Sequence, residues 1–264
     1  MNLKLDNRTA LVTASTAGIG YAIALDLARE GARVVVNGRT EARVDQALAS
    51  ILAEVPGATV VGLAADLGTA AGCRSIVDRL LSVDMLVNNL GIFEAKPFEA
   101  IPDEDWLRLF EVNVLSGVRL TRAYLPGMKE RKWGRVVFIS SESAVQIPPE
   151  MIHYGMTKTA QVAIARGIAE TCTGTGVTVN SVLAGPTASE GVTTFVQALA
   201  AQRQTTPAAF ERDFFQTMRP TSLVQRFLQP EEIAKVVVFL CSPQASAITG
   251  AAVRADGGVV KAAL

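Results

Sequence analysis

Apolar residues along the chain fall into short unbroken runs, separated by longer stretches in which they recur every three or four positions. The short runs are Thr9 to Val12, Arg33 to Asn37, Thr59 to Leu63, Met85 to Asn88, Arg135 to Ser140, Thr178 to Leu183 and Ala251 to Arg254. Runs this short, rich in β-branched residues and without polar alternation, predict strands buried on both faces. Between them the wider spacing predicts helices over Tyr21 to Arg29, Glu41 to Glu54, Ala70 to Leu81, Asp103 to Lys129, His153 to Thr171 and Glu231 to Cys241. Such alternation demands an α/β architecture, a doubly wound parallel sheet of about seven strands with helices on both faces. Ligands of such sheets sit beyond the carboxyl ends of the strands, where strand order reverses. No internal repeat, charge run or low-complexity linker interrupts the pattern, which predicts a single domain over residues 1–264.

Composition narrows the function classes. Hydrophobic residues make up 49% of the chain, enough to fill the core of so large a sheet. Lys+Arg and Asp+Glu are both 25, so no net charge draws the protein to nucleic acid or to a membrane surface. Met1 to Asp6 holds no signal-peptide core and no apolar run is long enough to span a bilayer, which predicts a cytoplasmic protein. Cys73, Cys172 and Cys241 are odd in number and lack C-x-x-C spacing, which predicts reduced structural thiols and no metal site. His153 is the only histidine, so histidine-based triads have no material, and a surface or packing role is expected for it.

Tyr154-Gly155-Met156-Thr157-Lys158 opens one predicted helix and sets a phenol and an ammonium one turn apart. Residues four apart share a helix face, so the Lys158 charge can favour the Tyr154 phenolate. A free phenol titrates near ~10, and bringing it close to neutrality takes about three units, or roughly 4 kcal/mol. A close ammonium and a positively charged oxidised cofactor together can supply that, making the tyrosine a general acid or base. Taken alone, the pair is also what a solvated helix surface shows. Upstream, Thr13-Ala14-Ser15-Thr16-Ala17-Gly18-Ile19-Gly20 joins the first strand to the first helix, a turn whose N–H groups and helix N-terminus suit a phosphate. The strict G-x-G-x-x-G pattern is incomplete because Ile23 stands in its third glycine position, and Gly18 and Gly20 equally suit a plain tight turn.

The order of these features resembles that of the classical short-chain dehydrogenase/reductases over nearly the whole chain. Thr13 to Gly20 is similar to that family's T-G-x-x-x-G-x-G cofactor loop, followed in order by Asn88-Asn89-Leu90-Gly91, Asn113, Ser141 and Tyr154-x-x-x-Lys158. Ser141 precedes Tyr154 by thirteen residues, as in the family. Three positions depart from the pattern: Ala14 replaces the first glycine of the loop, Leu90 the alanine of N-N-A-G, and Ala184 the proline of P-G. An alanine methyl is tolerated where φ is negative and costly where it is positive. Leu90 is expected to alter packing only, and Ala184 to change the loop beyond it.

The resemblance implies a Rossmann-like fold and a hydride moving between C4 of a nicotinamide and a carbonyl carbon. It gives Tyr154 the proton transfer, Ser141 the substrate oxygen as charge develops there, and Lys158 both the nicotinamide ribose and a lowering of the Tyr154 pKa. Asn113 would fix a water that links Lys158 to solvent. Cofactor contacts are implied for Thr13, Ser15, Thr16, Gly18, Ile19, Gly20, Arg39, Asp66, Leu67, Asn89, Gly91, Gly185 and Thr187, shared with Tyr154 and Lys158. At the end of the second strand, Asn37-Gly38-Arg39 has no carboxylate for the ribose hydroxyls of NAD and one guanidinium suited to a 2′-phosphate. In the family this implies NADP(H) over NAD(H); the plain alternative is an exposed arginine starting a helix. Asp66 matches the adenine-binding aspartate and also suits a helix N-cap.

Residues 186–220 are expected to cover the substrate, with Phe195, Phe210, Phe214 and Phe215 within Ser189 to Met218. The loop Gln146 to Met151 carries no basic residue, which favours a neutral or partly apolar ketone, aldehyde or secondary alcohol. Two alternatives stay open. One is a 3-oxoacyl-carrier-protein reductase docking its acidic carrier on Lys129, Arg131, Lys132 and Arg166, a cluster that a helix C-terminus also favours. The other is a catalytically silent NADP(H)-binding protein. A stripe of small residues, Met156, Ala160, Ala163 and Gly167, together with the helix pairing the resemblance implies, predicts a homotetramer or else a homodimer.

Overall fold

The protein is described by a computed structural model over residues 2–190, 192–193 and 205–263. Among these residues the strands are β1 Thr9–Val12, β2 Arg33–Gly38, β3 Val60–Ala64, β4 Met85–Asn88, β5 Gly134–Ser141, β6 Val177–Ala184 and β7 Ala252–Ala255. They form one parallel sheet in the order β3-β2-β1-β4-β5-β6-β7. The connections carry α1 Gly18–Arg29, α2 Glu41–Glu54, α3 Ala70–Arg79, α4 Asp103–Phe110, α5 Ser116–Glu130, α6 Ile152–Glu170, α7 Pro207–Thr217 and α8 Pro230–Cys241. None of the described helices is long and apolar enough to cross a membrane.

Successive residues of a strand face opposite sides of the sheet, and here both sides are dry. Ala10, Val12, Val34, Val36 and Val87 pack with α1 and α8 on one side. Leu11, Val35, Leu86, Val136 and Phe138 pack with α3, α5 and α6 on the other. Apolar side chains thus fill both sides of the central strands, which is why these read as nearly unbroken apolar runs, while β6 also buries Thr178, Asn180 and Ser181.

Two elements differ from expectation. The helix expected over Asp103 to Lys129 is divided by a π turn, Glu111–Leu115, between α4 and α5. Its apolar spacing runs through the turn, so periodicity alone gives no sign of the break. α7 has no counterpart among the expected helices; Thr206 caps it by accepting from the Ala209 N–H, and Pro207 occupies the first turn. Of the covering segment, residue 191 and residues 194–204 lie outside the described residues, Phe195 among them.

The sheet reverses its winding between β1 and β4, and the loop leaving β1 there is tight. Ala14 sits at φ 50, in the left-handed region, and Gly18 at φ 56. A non-glycine residue in that region costs about 1–2 kcal/mol. Gly20 must lack a side chain, because a Cβ there would stand 2.4 Å from the Ala14 carbonyl oxygen and 2.5 Å from Asn89 Nδ2. Ala14→Gly should therefore stabilise the protein, relief of strain exceeding the added freedom of the unfolded chain. We expect Tm to rise by about 1–3 °C in a thermal melt; an unchanged or lower Tm would mean the loop accepts the methyl without strain.

Candidate active site

Where β1 and β4 part, strand-end N–H and C=O groups lose their ladder partners, and polar side chains take them. Thr13 Oγ1 accepts from the N–H groups of Asn89 (2.8 Å) and Leu90 (2.9 Å). Asn89 Nδ2 donates in return to the carbonyls of Thr13 (3.0 Å) and Ala14 (3.1 Å). On the β2 side, Ser15 Oγ accepts from Asn37 N (2.9 Å) and donates to Val12 O (2.7 Å). Thr13 and Ser15 are buried, so their side chains hold the loop and leave only backbone for a ligand. Leu90 packs against the core, as expected.

The crevice above this clasp fits a dinucleotide. Ala17 provides no side-chain cap for α1, which leaves the first-turn N–H groups beyond Thr16, those of Gly18, Ile19 and Gly20, available to a pyrophosphate. Arg39 is exposed at the end of β2, with no ion pair among the described residues, whereas Arg43 is engaged by Glu190 at 2.7 Å. Asp66 Oδ1 accepts from Gly68 N (3.0 Å), and the cap of α3 is Thr69, so Asp66 is not needed for that purpose. Leu67 turns its side chain into the core. At Gly91 a Cβ would come within 3.3 Å of Lys158 Nζ, and its absence leaves an open path to that ammonium.

β5 and α6 bring Ser141, Tyr154 and Lys158 to one cavity of about 260 Å3. Ile19, Asn89 and Gly91 line it from the β1 side, Gly185 and Thr187 from the end of β6. Ser140 fixes α6 to the sheet, its Oγ donating to Lys158 O at 2.8 Å. Lys158 Nζ donates to Ile139 O (2.8 Å) and Gln161 Oε1 (3.3 Å) and lies 5.5 Å from the centre of the Tyr154 ring. Burial lowers the Lys158 pKa to about 8, with the Glu142 carboxylate working the other way. Burial, and after it Glu142, pushes the Tyr154 phenol well above its ordinary value, against smaller opposing effects of Ser141 and Arg219. In the chain by itself the phenol is a protonated acid. The Tyr–Lys spacing pointed to a lowered pKa, and the carboxylate beside it was not anticipated.

Asn113 stands behind this cavity, buried in the π turn. Its side chain is a strut: Oδ1 accepts from Ile92 N (2.7 Å), and Nδ2 donates to Ile92 O (2.9 Å) and Thr157 Oγ1 (3.0 Å). Its main-chain oxygen accepts from Gln161 Nε2 at 2.6 Å. Gln161, unmarked by any motif, thus links Lys158 to Asn113 directly.

Sequence reasoning also missed a charged group in the cavity wall. Glu142 Oε2 accepts from Ser141 Oγ and from Ser143 N (2.8 Å) and Oγ (3.1 Å), while Oε1 accepts from Arg219 Nε (3.0 Å). Arg219 Nη1 donates to Glu150 Oε1 (3.1 Å) and Met218 O (2.8 Å). A guanidinium therefore does face the loop that has no base of its own, delivered by a residue 77 positions away from Glu142. Phe210 and Phe214 of α7 line the cavity with Phe227, whereas Phe215 is turned into the small core of that segment. His153 is fully buried against Trp106, with neither nitrogen partnered, and burial lowers its pKa; its role is packing, not surface. Among the described residues no group of three or more His, Cys, Asp or Glu is placed to hold a metal, and the three cysteines are free and buried.

Residues 13–260 match the family model described as Enoyl-(Acyl carrier protein) reductase. A Bacillus subtilis protein described as uncharacterized oxidoreductase YvaG is 51% identical over 261 residues, covering 99% of each chain. Dehydrogenase/reductase SDR family member 4 of Bos taurus is 36% identical over 262 residues, covering 96% of this chain and 88% of that one. Among solved structures, L-sorbose reductase from Gluconobacter frateurii complexed with NADPH and L-sorbose is similar with a TM-score of 0.93 at 28% identity, over 99% of this chain and 100% of that one.

Tyr154 carries the one phenolic proton in the cavity. Tyr154→Phe should leave cofactor affinity within about twofold of wild type while lowering kcat below about a tenth, since only a transition-state interaction is lost. Steady-state kinetics with a cofactor titration would show it; a variant that keeps more turnover than that removes Tyr154 as the acid.

Proposed function

The chain belongs to the short-chain dehydrogenase/reductase family and is a nicotinamide-dependent oxidoreductase of carbonyl or alcohol groups, and we propose that it uses NADP(H) in preference to NAD(H), with Asn113, Ser141, Tyr154 and Lys158 as its catalytic set. The supporting observation is the convergence of Ser141, Tyr154 and Lys158 on a cavity beside the uncapped start of α1. When bound, the nicotinamide supplies a hydride to the carbonyl carbon, or accepts one from the alcohol. Ser141 and Tyr154 hold the substrate oxygen between them. In reduction Tyr154 gives its proton to that oxygen as the C=O π pair moves onto it; in oxidation it takes the proton back. Lys158 places an ammonium near the phenol, Gln161 and the Ile139 carbonyl keep it in place, and Asn113 braces α6 through Thr157. Phe210 and Phe214 in the cavity wall support a substrate-covering role for the described part of the segment after β6.

The NADP(H) preference rests on Arg39, which has no ion pair among the described residues, and on the crowding at Gly38. A side chain at 38, where an NAD-selecting acid would stand, would place its Cβ 2.5 Å from the Thr16 methyl, so Thr16 would have to move. Arg39→Leu should cut the ratio of kcat/KM for NADPH over NADH about tenfold to hundredfold, as expected for losing a charge-assisted phosphate contact. Wild type favouring NADH, or a ratio unmoved by the substitution, would reduce Arg39 to a residue that starts a helix.

A carrier-protein substrate has less support, because Arg131 donates to Val83 O and Arg166 pairs with Glu170. The three buried free thiols favour a reducing compartment, the cytoplasm. We also propose a homotetramer. Phe98 and Leu107 are 57% and 69% exposed around α4, and Ala163 and Gly167 form an open, small-residue strip on α6. Sedimentation at micromolar concentration should give four copies, or two if only one face pairs; a monomer alone would defeat the assignment.

A further inference from the structure

Glu142, Glu150 and Arg219 stand together in the cavity wall beside Ser141. The side chains of Glu142 and Arg219 are only 5% and 8% exposed. A buried ion pair seldom stabilises a fold more than apolar residues of the same size, so its place against the reacting groups calls for another reason. Two carboxylates share one guanidinium here, and the Lys158 ammonium lines the same cavity. Arg219 engages Glu142 through Nε, and Glu150 and the Met218 carbonyl through Nη1; its Nη2 makes no hydrogen bond among the described residues. Ser141 donates to Glu142, so the hydroxyl that should meet a substrate oxygen is turned to its neighbour.

We infer that the site takes a neutral hydroxy ketone, with the carbonyl oxygen at Ser141 and Tyr154 and a hydroxyl on the adjacent carbon donating to Glu142 and accepting from Arg219 Nη2. This rests on the carbonyl reductase reading above. It follows from an exchange of donors. A serine hydroxyl has one proton to donate, so Ser141 cannot serve Glu142 and the substrate at once. A substrate that brings its own hydroxyl replaces the donor that Glu142 loses, and Ser141 is free to turn to the carbonyl oxygen. A plain ketone brings no such donor and leaves Glu142 Oε2 with the Ser143 N–H and hydroxyl alone, one donor fewer than before. A 2-oxo acid sets a further carboxylate beside Glu142 and Glu150, which already share the Arg219 guanidinium. Phe93, Phe214 and Met151 line the rest of the cavity and accept hydrocarbon.

The test compares kcat/KM with NADPH for matched sets of three to six carbons: a 1-hydroxy-2-ketone, the 2-ketone with methyl in place of hydroxyl, and the 2-oxo acid. Wild type should favour the hydroxy ketone over the plain ketone by about tenfold to hundredfold, the worth of a hydrogen bond to a charged group. Glu142→Leu should bring that ratio to within about threefold of one, and Glu142→Gln, which keeps an acceptor without the charge, should raise the 2-oxo acid relative to the hydroxy ketone. If the ion pair only anchors the covering segment, all substrates will fall together with their ratios unchanged, and the inference is overturned. A wild-type ratio near one overturns it as well. Should the Leu variant not fold, the Gln variant decides through the 2-oxo acid ratio alone. Failure to turn over any ketone with either nicotinamide would instead sink the reductase reading beneath it.

Discussion

A sheet buried on both faces must end somewhere, and the way its strand-end polar groups are satisfied sets everything built upon it. At the parting of β1 and β4, Thr13 and Ala14 share four hydrogen bonds with Asn89 and Leu90 across the gap. Ser15 and Asn37 close the β2 side. These bonds pull the loop so close to the sheet that Ala14 is forced to positive φ and Gly20 can carry no side chain. The crevice thus owes its floor to residues whose side chains face away from any ligand. What they present upward is backbone, and backbone N–H groups are what a phosphate at a helix start requires.

The second wall depends on a buried ammonium. Lys158 is held in a dry place by the Ile139 carbonyl and by Gln161, and Gln161 is held by the Asn113 carbonyl. The π turn shifts the ladder by a residue and places Asn113 where both its carbonyl and its side chain reach α6. Loss of regular helix between α4 and α5 is therefore matched by a brace on the helix that carries Tyr154. Burial explains why Lys158 sits near 8 and not at its ordinary value.

The strands were legible because two dry faces forbid polar interruption, and their expected ends fall within about a residue or two of those found, as strand ends usually do. The order of Gly18, Asn89, Asn113, Ser141, Tyr154 and Lys158 was legible through its resemblance to the short-chain dehydrogenase/reductase pattern. The π turn was not, because its apolar residues keep helical spacing. Gln161 and Glu142 were missed for a different reason. A glutamine one turn past a lysine, or a glutamate after a serine, is ordinary on a solvated surface, and only the fold buries it. Arg219 reaches the site from beyond β6, so no local pattern joins it to Ser141.

Glu142 sets two demands of the site against each other. Its charge, after burial, keeps the Tyr154 proton in place. The Ser141 hydroxyl and Arg219 act the other way and favour the phenolate. The carboxylate also withholds the Ser141 hydroxyl until something replaces it. The same side chain thus acts on both the Tyr154 phenol and the Ser141 hydroxyl, and both effects follow from one buried negative charge placed within a hydrogen bond of Ser141.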